Sequence, residues 1–161
     1  HGGRLPFFPT QLGWISGVYQ TGVRSAMAIF DETKDPDERF EMARTMAKWC
    51  RDNDKTYYYN HGHKDESYFW MTIFDETKDP DERFEMARTM AKWCRINDKT
   101  YYYNHGHKDE SYFWMTIFDE TKDPEEKSES AKNLAKWCRV NNSTCYYNHG
   151  HRDEEYWQQY V

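Results

Sequence analysis

The sequence predicts an α+β protein built from tandem 44-residue repeats of helix plus β-hairpin, four hairpins and three helices, with antiparallel strands carrying the helices on one face. The first observation behind this is a recurring stretch: residues 29–72 match residues 73–116 at 43 of 44 positions, Asp52 standing opposite Ile96 as the one difference. Residues 117–160 match the middle copy at 27 of 44. A period of this size marks units that bury their apolar faces only against a neighbour. The second observation is a capped amphipathic segment in every copy. The third is an aromatic, β-branched segment that follows it.

Taken in order, residues 1–12 hold two prolines and two glycines and read as an irregular leader. Residues 13–161 read as a single repeat domain. Its opening hairpin, residues 13–30, aligns with the aromatic segment of the later copies but carries Gly17 and Tyr19 where those have histidine. Repeats 31–74, 75–118 and 119–161 follow.

The helix is signalled by Asp79-Pro80-Asp81-Glu82. Asp79 suits the N-cap, Pro80 the first helical position where its missing N–H is not needed, and Glu82 the third place of a capping box. Phe84, Ala87, Met90, Ala91, Trp93 and Cys94 then fall on one broad stripe, which gives an amphipathic helix ending near Arg95. The hairpin is read from Thr100 to His105 and from Ser111 to Phe118, with Gly106-His107-Lys108-Asp109 as the turn. Alternation along the second strand would place Phe113, Met115 and Ile117 on the helices and Tyr112 and Trp114 on the outer face. In the last repeat Phe84, Met86, Trp114 and Met115 are replaced by Ser128, Ser130, Gln158 and Gln159, the pattern of a polar C-terminal cap.

Composition narrows the partners. Leu, Ile and Val are scarce, yet aromatic residues make up 18% of the chain, so a core of rings, Met and Ala is feasible. A net charge of −6 argues against nucleic acid and against an anionic membrane surface. No apolar run approaches the ~20 residues of a membrane-spanning helix. A chain opening on His1 reads as a processed or trimmed form. Asn141 and Asn142 head two overlapping glycosylation tripeptides, and with no cytosolic enzyme signature the expectation is a secreted, extracellular protein.

Three clusters carry candidate chemistry. Tyr59, Tyr68, Trp70, Tyr103, Tyr112, Trp114, Tyr147 and Tyr156 would share the outer hairpin faces and bind a sugar ring or a partner protein. His61, His63 and Asp65, with their counterparts His105, His107 and Asp109 and His149, His151 and Asp153, offer a mixed nitrogen and oxygen set suited to zinc, copper or nickel. Cys138 and Cys145 are the expected disulfide, from helix end to the next strand. Cys50 and Cys94 sit at equivalent places on neighbouring helices, ~8–10 Å apart or more and beyond disulfide reach. They read as buried thiols, or as links between chains in self-association. His1 resembles the N-terminal histidine by which copper-dependent polysaccharide oxygenases hold copper, through amine and imidazole, and the resemblance covers that residue alone.

Nearly identical copies suit valency better than catalysis, because linked weak sites gain avidity while an active site needs one distinctive constellation. The expectation is a non-enzymatic, multivalent protein that binds a glycan or matrix component, with transition-metal binding as the alternative and copper oxidation at His1 as a third.

Overall fold

The structure, a computed structural model, describes residues 20–161, with side chains described from Ala26 onward. The expected leader 1–12 and the start of the first hairpin, residues 13–19, lie outside the described residues. The elements run α1 (Gln20–Glu32), α2 (Pro36–Asn53), β1 (Tyr57–Tyr59), β2 (Gly62–Lys64), α3 (Glu66–Glu76), α4 (Pro80–Asn97), β3 (Tyr101–Tyr103), β4 (Gly106–Lys108), α5 (Glu110–Glu120), α6 (Pro124–Asn141), β5 (Cys145–Tyr147), β6 (Gly150–Arg152) and α7 (Glu154–Gln158). The α+β class and the repeat are both visible: each unit is a long helix, a small antiparallel arm and a shorter helix.

The long helices form where the sequence places them. Asp35, Asp79 and Asp123 are N-caps, each followed by Pro at the first helical turn, and their side chains accept the N–H of Glu38, Asp81 and Glu125. The ends are fixed by Asp54, Asp98 and Asn142 in the left-handed conformation, with φ of 53°, 52° and 49°. Each of these caps donates its N–H back to the last helical turn and so satisfies carbonyls that would otherwise lack a partner.

The aromatic segment corrects the expected hairpins. Ser111–Phe118 is helical, inside α5, and Ser67–Phe74 is helical, inside α3. Gln20–Phe30 of the expected first hairpin belongs to α1. Seven helices and three two-stranded arms are therefore found among the described residues, in place of three helices and four hairpins. The physical reason is periodicity. Phe113, Trp114, Ile117 and Phe118 are buried, a spacing that returns every turn of a helix, whereas Met115 is only half-buried. An apolar run this short is ambiguous between strand and helix; packing of these four side chains decides for the helix, and Asp109 then serves as its N-cap. The true hairpin is compressed into the stretch read as one strand and its turn.

Each arm closes through a two-residue turn. Asn60 and His61 have φ of 53° and 69°, Asn104 and His105 53° and 70°, Asn148 and His149 52° and 66°. Two successive left-handed residues are the type I′ turn, whose twist matches that of the strands it joins. The registers are Tyr57 with Lys64, Tyr101 with Lys108 and Cys145 with Arg152.

By contacts the described residues divide into two compact units, one ending at Thr77 and the other running from Lys78 to Val161. In the first, α2 packs on α3 and rings fill the space between them and α1: Trp49 lies 4.9 Å from Tyr57, Tyr57 lies 5.6 Å from Phe69, and Phe69 lies 6.0 Å from Phe30. Arg39 ties three helices at the rim, forking onto Glu76 at 2.8 and 3.1 Å and donating to the Phe30 carbonyl at 2.7 Å. In the second unit α4 packs on α5, α5 on α6 and α6 on α7. Its buried residues include Phe84, Met90, Phe113, Ile117, Leu134 and Trp157. Arg83 repeats the fork onto Glu120 at 2.8 and 3.1 Å, and Arg88 meets Glu126 at 2.5 Å. At the chain end Gln158 and Gln159 are exposed, while Ser130 is buried. No helix among the described residues is long and apolar enough to cross a membrane.

Removing a buried ring leaves a cavity as well as losing transfer energy, so Phe113→Ala should cost about 3–5 kcal/mol in urea unfolding. Tyr102→Ala, on an exposed arm position, should stay within about 0.5 kcal/mol. Equal losses for the two would contradict the helical packing of α5.

Candidate functional site

The arms set out three copies of one surface. Strand alternation turns Tyr57 and Cys145 inward to full burial and leaves the next residue, Tyr58, Tyr102 or Tyr146, pointing out at 65%, 62% and 62% exposure. Across each arm the tyrosine pairs in register with His63, His107 or His151. The rings meet edge to face at 5.2, 5.1 and 5.2 Å. Thr56, Thr100 and Thr144 place a hydroxyl 3.2, 3.3 and 3.3 Å from Nδ1 of the same histidines. Holding Nδ1 in this way fixes the ring and leaves Nε2 as the nitrogen a ligand can use. Sequence reasoning missed these tyrosines. The available signal was the middle Tyr of each three-residue strand facing a histidine across a two-residue turn.

The expected aromatic platform is dispersed. Trp70 and Trp114 are buried at 5% and 3%, a correction that follows from their lying on helices, where they donate Nε1–H to Glu66 and Glu110. Tyr59 and Tyr147 are half-buried and give their hydroxyls to Asp31 at 2.5 Å and Asp119 at 2.8 Å. Tyr103 is half-buried with its ring 6.2 Å from Tyr112. Tyr68, Tyr112 and Tyr156 lie under Lys64, Lys108 and Arg152, at 5.1, 5.1 and 4.8 Å from the cation.

The expected metal set is spread apart for a reason of backbone. His61, His105 and His149 sit at the left-handed tip of the turn, so they do not share the extended run that would align them with His63, His107 and His151. Asp65, Asp109 and Asp153 are N-caps of α3, α5 and α7. Asp65 accepts from the N–H and hydroxyl of Ser67, Asp109 from the N–H and hydroxyl of Ser111, and Asp153 from the N–H of Tyr156. Among the described residues no group of three His, Cys, Asp or Glu side chains is gathered as a metal would need. His1 lies outside the described residues.

A cleft of about 630 Å³ in the second unit adjoins one arm. Trp137, Val140 and Thr100 line it together with Arg95, Lys99 and Lys136. Arg95 is engaged by Glu110 at 3.1 Å. Thr100 belongs to the cleft and to the Tyr102–His107 surface alike, so the two are continuous. The third repeat differs from the others at this wall. Trp49 and Trp93 are buried, with Tyr57 and Tyr101 rings 4.9 and 6.5 Å away, whereas Trp137, beside Cys145 rather than a tyrosine, is half-buried.

All four cysteines are buried thiols. Cys50, Cys94 and Cys138 reach the carbonyls of Lys64, Lys108 and Arg152 at 3.9, 3.8 and 3.7 Å, tethering each long helix to its arm. The sulfurs of Cys138 and Cys145 approach to 3.8 Å without a bond. Burial pushes the thiols of Cys50, Cys94 and Cys145 up to about 12. Burial, helped by the carboxylates of Asp31 and Asp119, does the same to the phenols of Tyr59 and Tyr147, also to about 12. Asn141 and Asn142 are exposed at the end of α6, the first donating its amide to the Trp137 carbonyl at 2.9 Å and the second serving as the left-handed cap.

No protein-family model matches this chain, and neither a curated protein nor a solved structure is similar to it.

Two expectations arise from this geometry. Glycine adopts the left-handed region without the steric cost that a side chain incurs, so His105→Gly should keep or raise the urea midpoint; a clear loss would show that the tip imidazole supports the fold. Raised thiol and phenol values mean that the folded state holds these groups neutral. Their contribution is complete below the ordinary values of 9.0 and 10.0 and is lost as pH climbs toward about 12. Urea midpoints should therefore hold level up to about pH 9 and fall from there to about pH 11, and a profile flat throughout would contradict the burial assigned to these groups.

Proposed function

We propose that this is a non-enzymatic, extracellular protein that binds a neutral glycan chain or matrix polysaccharide through its repeated arms. The observation that carries this reading is the Thr–Tyr–His surface, repeated three times with its tyrosine ring open to solvent. A sugar ring presents an apolar C–H face and a rim of hydroxyls. An exposed phenol ring matches the face, while His Nε2, the Thr hydroxyl and the Asn side chain at the turn match the rim. The cleft beside the second arm adds the indole of Trp137 to that path. A protein of net charge −6 favours a neutral polymer over a polyanionic one.

Repetition matters more than the strength of any one arm. A polymer engaged by one arm meets the next at high effective concentration, so weak sites combine into firm attachment. The near identity of the first two copies suits a ligand that is itself repetitive. It does not suit an active site, which needs unlike groups converging on one reacting atom.

The test is a glycan array followed by calorimetry on the best neutral oligosaccharide. Tyr102→Ala alone should weaken attachment to a polymer roughly tenfold, and the triple change Tyr58→Ala, Tyr102→Ala and Tyr146→Ala by roughly a hundredfold or more, with circular dichroism unchanged. Array silence toward neutral glycans, or full retention by the triple variant, would rule the reading out.

A further inference from the structure

The third repeat departs from the other two at one junction in a concerted way. In the first two copies Trp49 and Trp93 of the long helix face Tyr57 and Tyr101 of the first strand, ring to ring. In the third, the tyrosine position is Cys145, and its sulfur lies 3.8 Å from that of Cys138, one residue beyond Trp137 on α6. The substitution removes an aromatic contact and places a second thiol where the first already was. Cys50 and Cys94 have a tyrosine at that place, so their thiols find only a carbonyl oxygen.

We propose that Cys138 and Cys145 are a covalent modification site, joined as a disulfide that staples α6 to β5 in place of the lost ring contact, and that Cys50 and Cys94 stay reduced. The bond is independent of any ligand at the arms. It forms at the expense of an external disulfide, such as glutathione disulfide or an oxidised disulfide isomerase. One thiol loses its proton and its sulfur attacks the external disulfide, giving a mixed disulfide and releasing one thiol. The second thiolate then attacks the protein sulfur of that mixed disulfide, the Cys138–Cys145 bond forms, and the second thiol leaves. Two protein thiols thus lose two protons and two electrons, and the oxidant is reduced to two thiols.

Timing follows from burial. Both sulfurs are shut away from water in the folded chain, where a thiolate is disfavoured and an oxidant has no access. The bond is therefore made while the chain folds and is protected afterwards. The same turn carries the exposed Asn141 and Asn142, so a cross-link between residues 138 and 145 would brace the one surface loop in this chain that bears glycosylation tripeptides.

The decisive experiment refolds fully reduced protein in a glutathione redox pair, alkylates it under denaturing conditions and maps the peptides. Two alkylated cysteines, Cys50 and Cys94, are expected, with the peptides bearing Cys138 and Cys145 linked and lighter by two hydrogens. The oxidised protein should also melt several degrees above its reduced form. Cys145→Tyr, which installs the residue of the other copies, should show three alkylated cysteines and no dependence of melting on reductant. If that variant does not fold, Cys145→Ser gives the same count. Four alkylated cysteines after refolding, or any link through Cys50 or Cys94, would overturn the assignment.

Discussion

The two left-handed residues at the tip of each arm are the constraint on which the surface depends. With Asn60 and His61 both at positive φ, the arm can close in only one register, Tyr59 opposite Gly62. A slip by one residue would exchange the faces of the strand. Tyr57, which wedges between Trp49 and Phe69, would be brought out, and Tyr58 would be driven into the core. The turn thus decides at a stroke which tyrosine holds the fold together and which is left to meet a ligand. Non-glycine residues in that conformation are tolerated because the arm is anchored at its base. The long helix is tethered there by its cysteine, and the following helix by its aspartate cap.

The core that receives those tyrosines is built of rings, methionine and alanine. Alanines such as Ala43, Ala47, Ala87 and Ala91 are fully buried and let the helices approach, and the larger rings fill what remains. Edge-to-face contacts at 5–6 Å recur through the first unit, as in Phe30 with Phe69 and Tyr57 with Phe69. Arginine forks at the rim add geometric specificity. Arg39 and Arg83 each grip a glutamate with two parallel hydrogen bonds, and partial exposure keeps the energy of each pair modest while the orientation it imposes is narrow. In the third repeat Lys127 takes the place of that arginine and lies 4.5 Å over the Phe118 ring, a looser contact on the same residue row.

Divergence in the third repeat is confined to places where the fold can absorb it. The capping aspartate, the proline, the left-handed C-cap and the arm turn are all retained: the caps satisfy backbone groups that have no other partner, the proline stands where no N–H is needed, and the turn sets the register of the arm. What changes is what the frame carries. Tyrosine becomes Cys145, the helix cap becomes Asn142, and Trp137 gains exposure in a cleft that adjoins the second arm. A shared backbone with altered side chains at one junction gives the last repeat a chemistry of its own.

The sequence by itself determined the period, the long helices with their caps, and the α+β class. These rest on local rules: an aspartate before a proline satisfies helix N–H groups wherever it stands, and a repeat declares itself by identity. The aromatic segment was beyond those rules. Ser111 to Phe118 satisfies strand and helix patterns alike over so short a run, and only packing of Phe113, Trp114, Ile117 and Phe118 against the long helices decided for the helix. That decision moved the turn from Gly106-His107-Lys108-Asp109 to Asn104-His105, made Asp109 a cap, buried Trp114 and brought Tyr102 beside His107 in the open. Which side of a short element faces the core depends on where its neighbours lie. Tertiary structure alone therefore fixed the surface offered to a ligand.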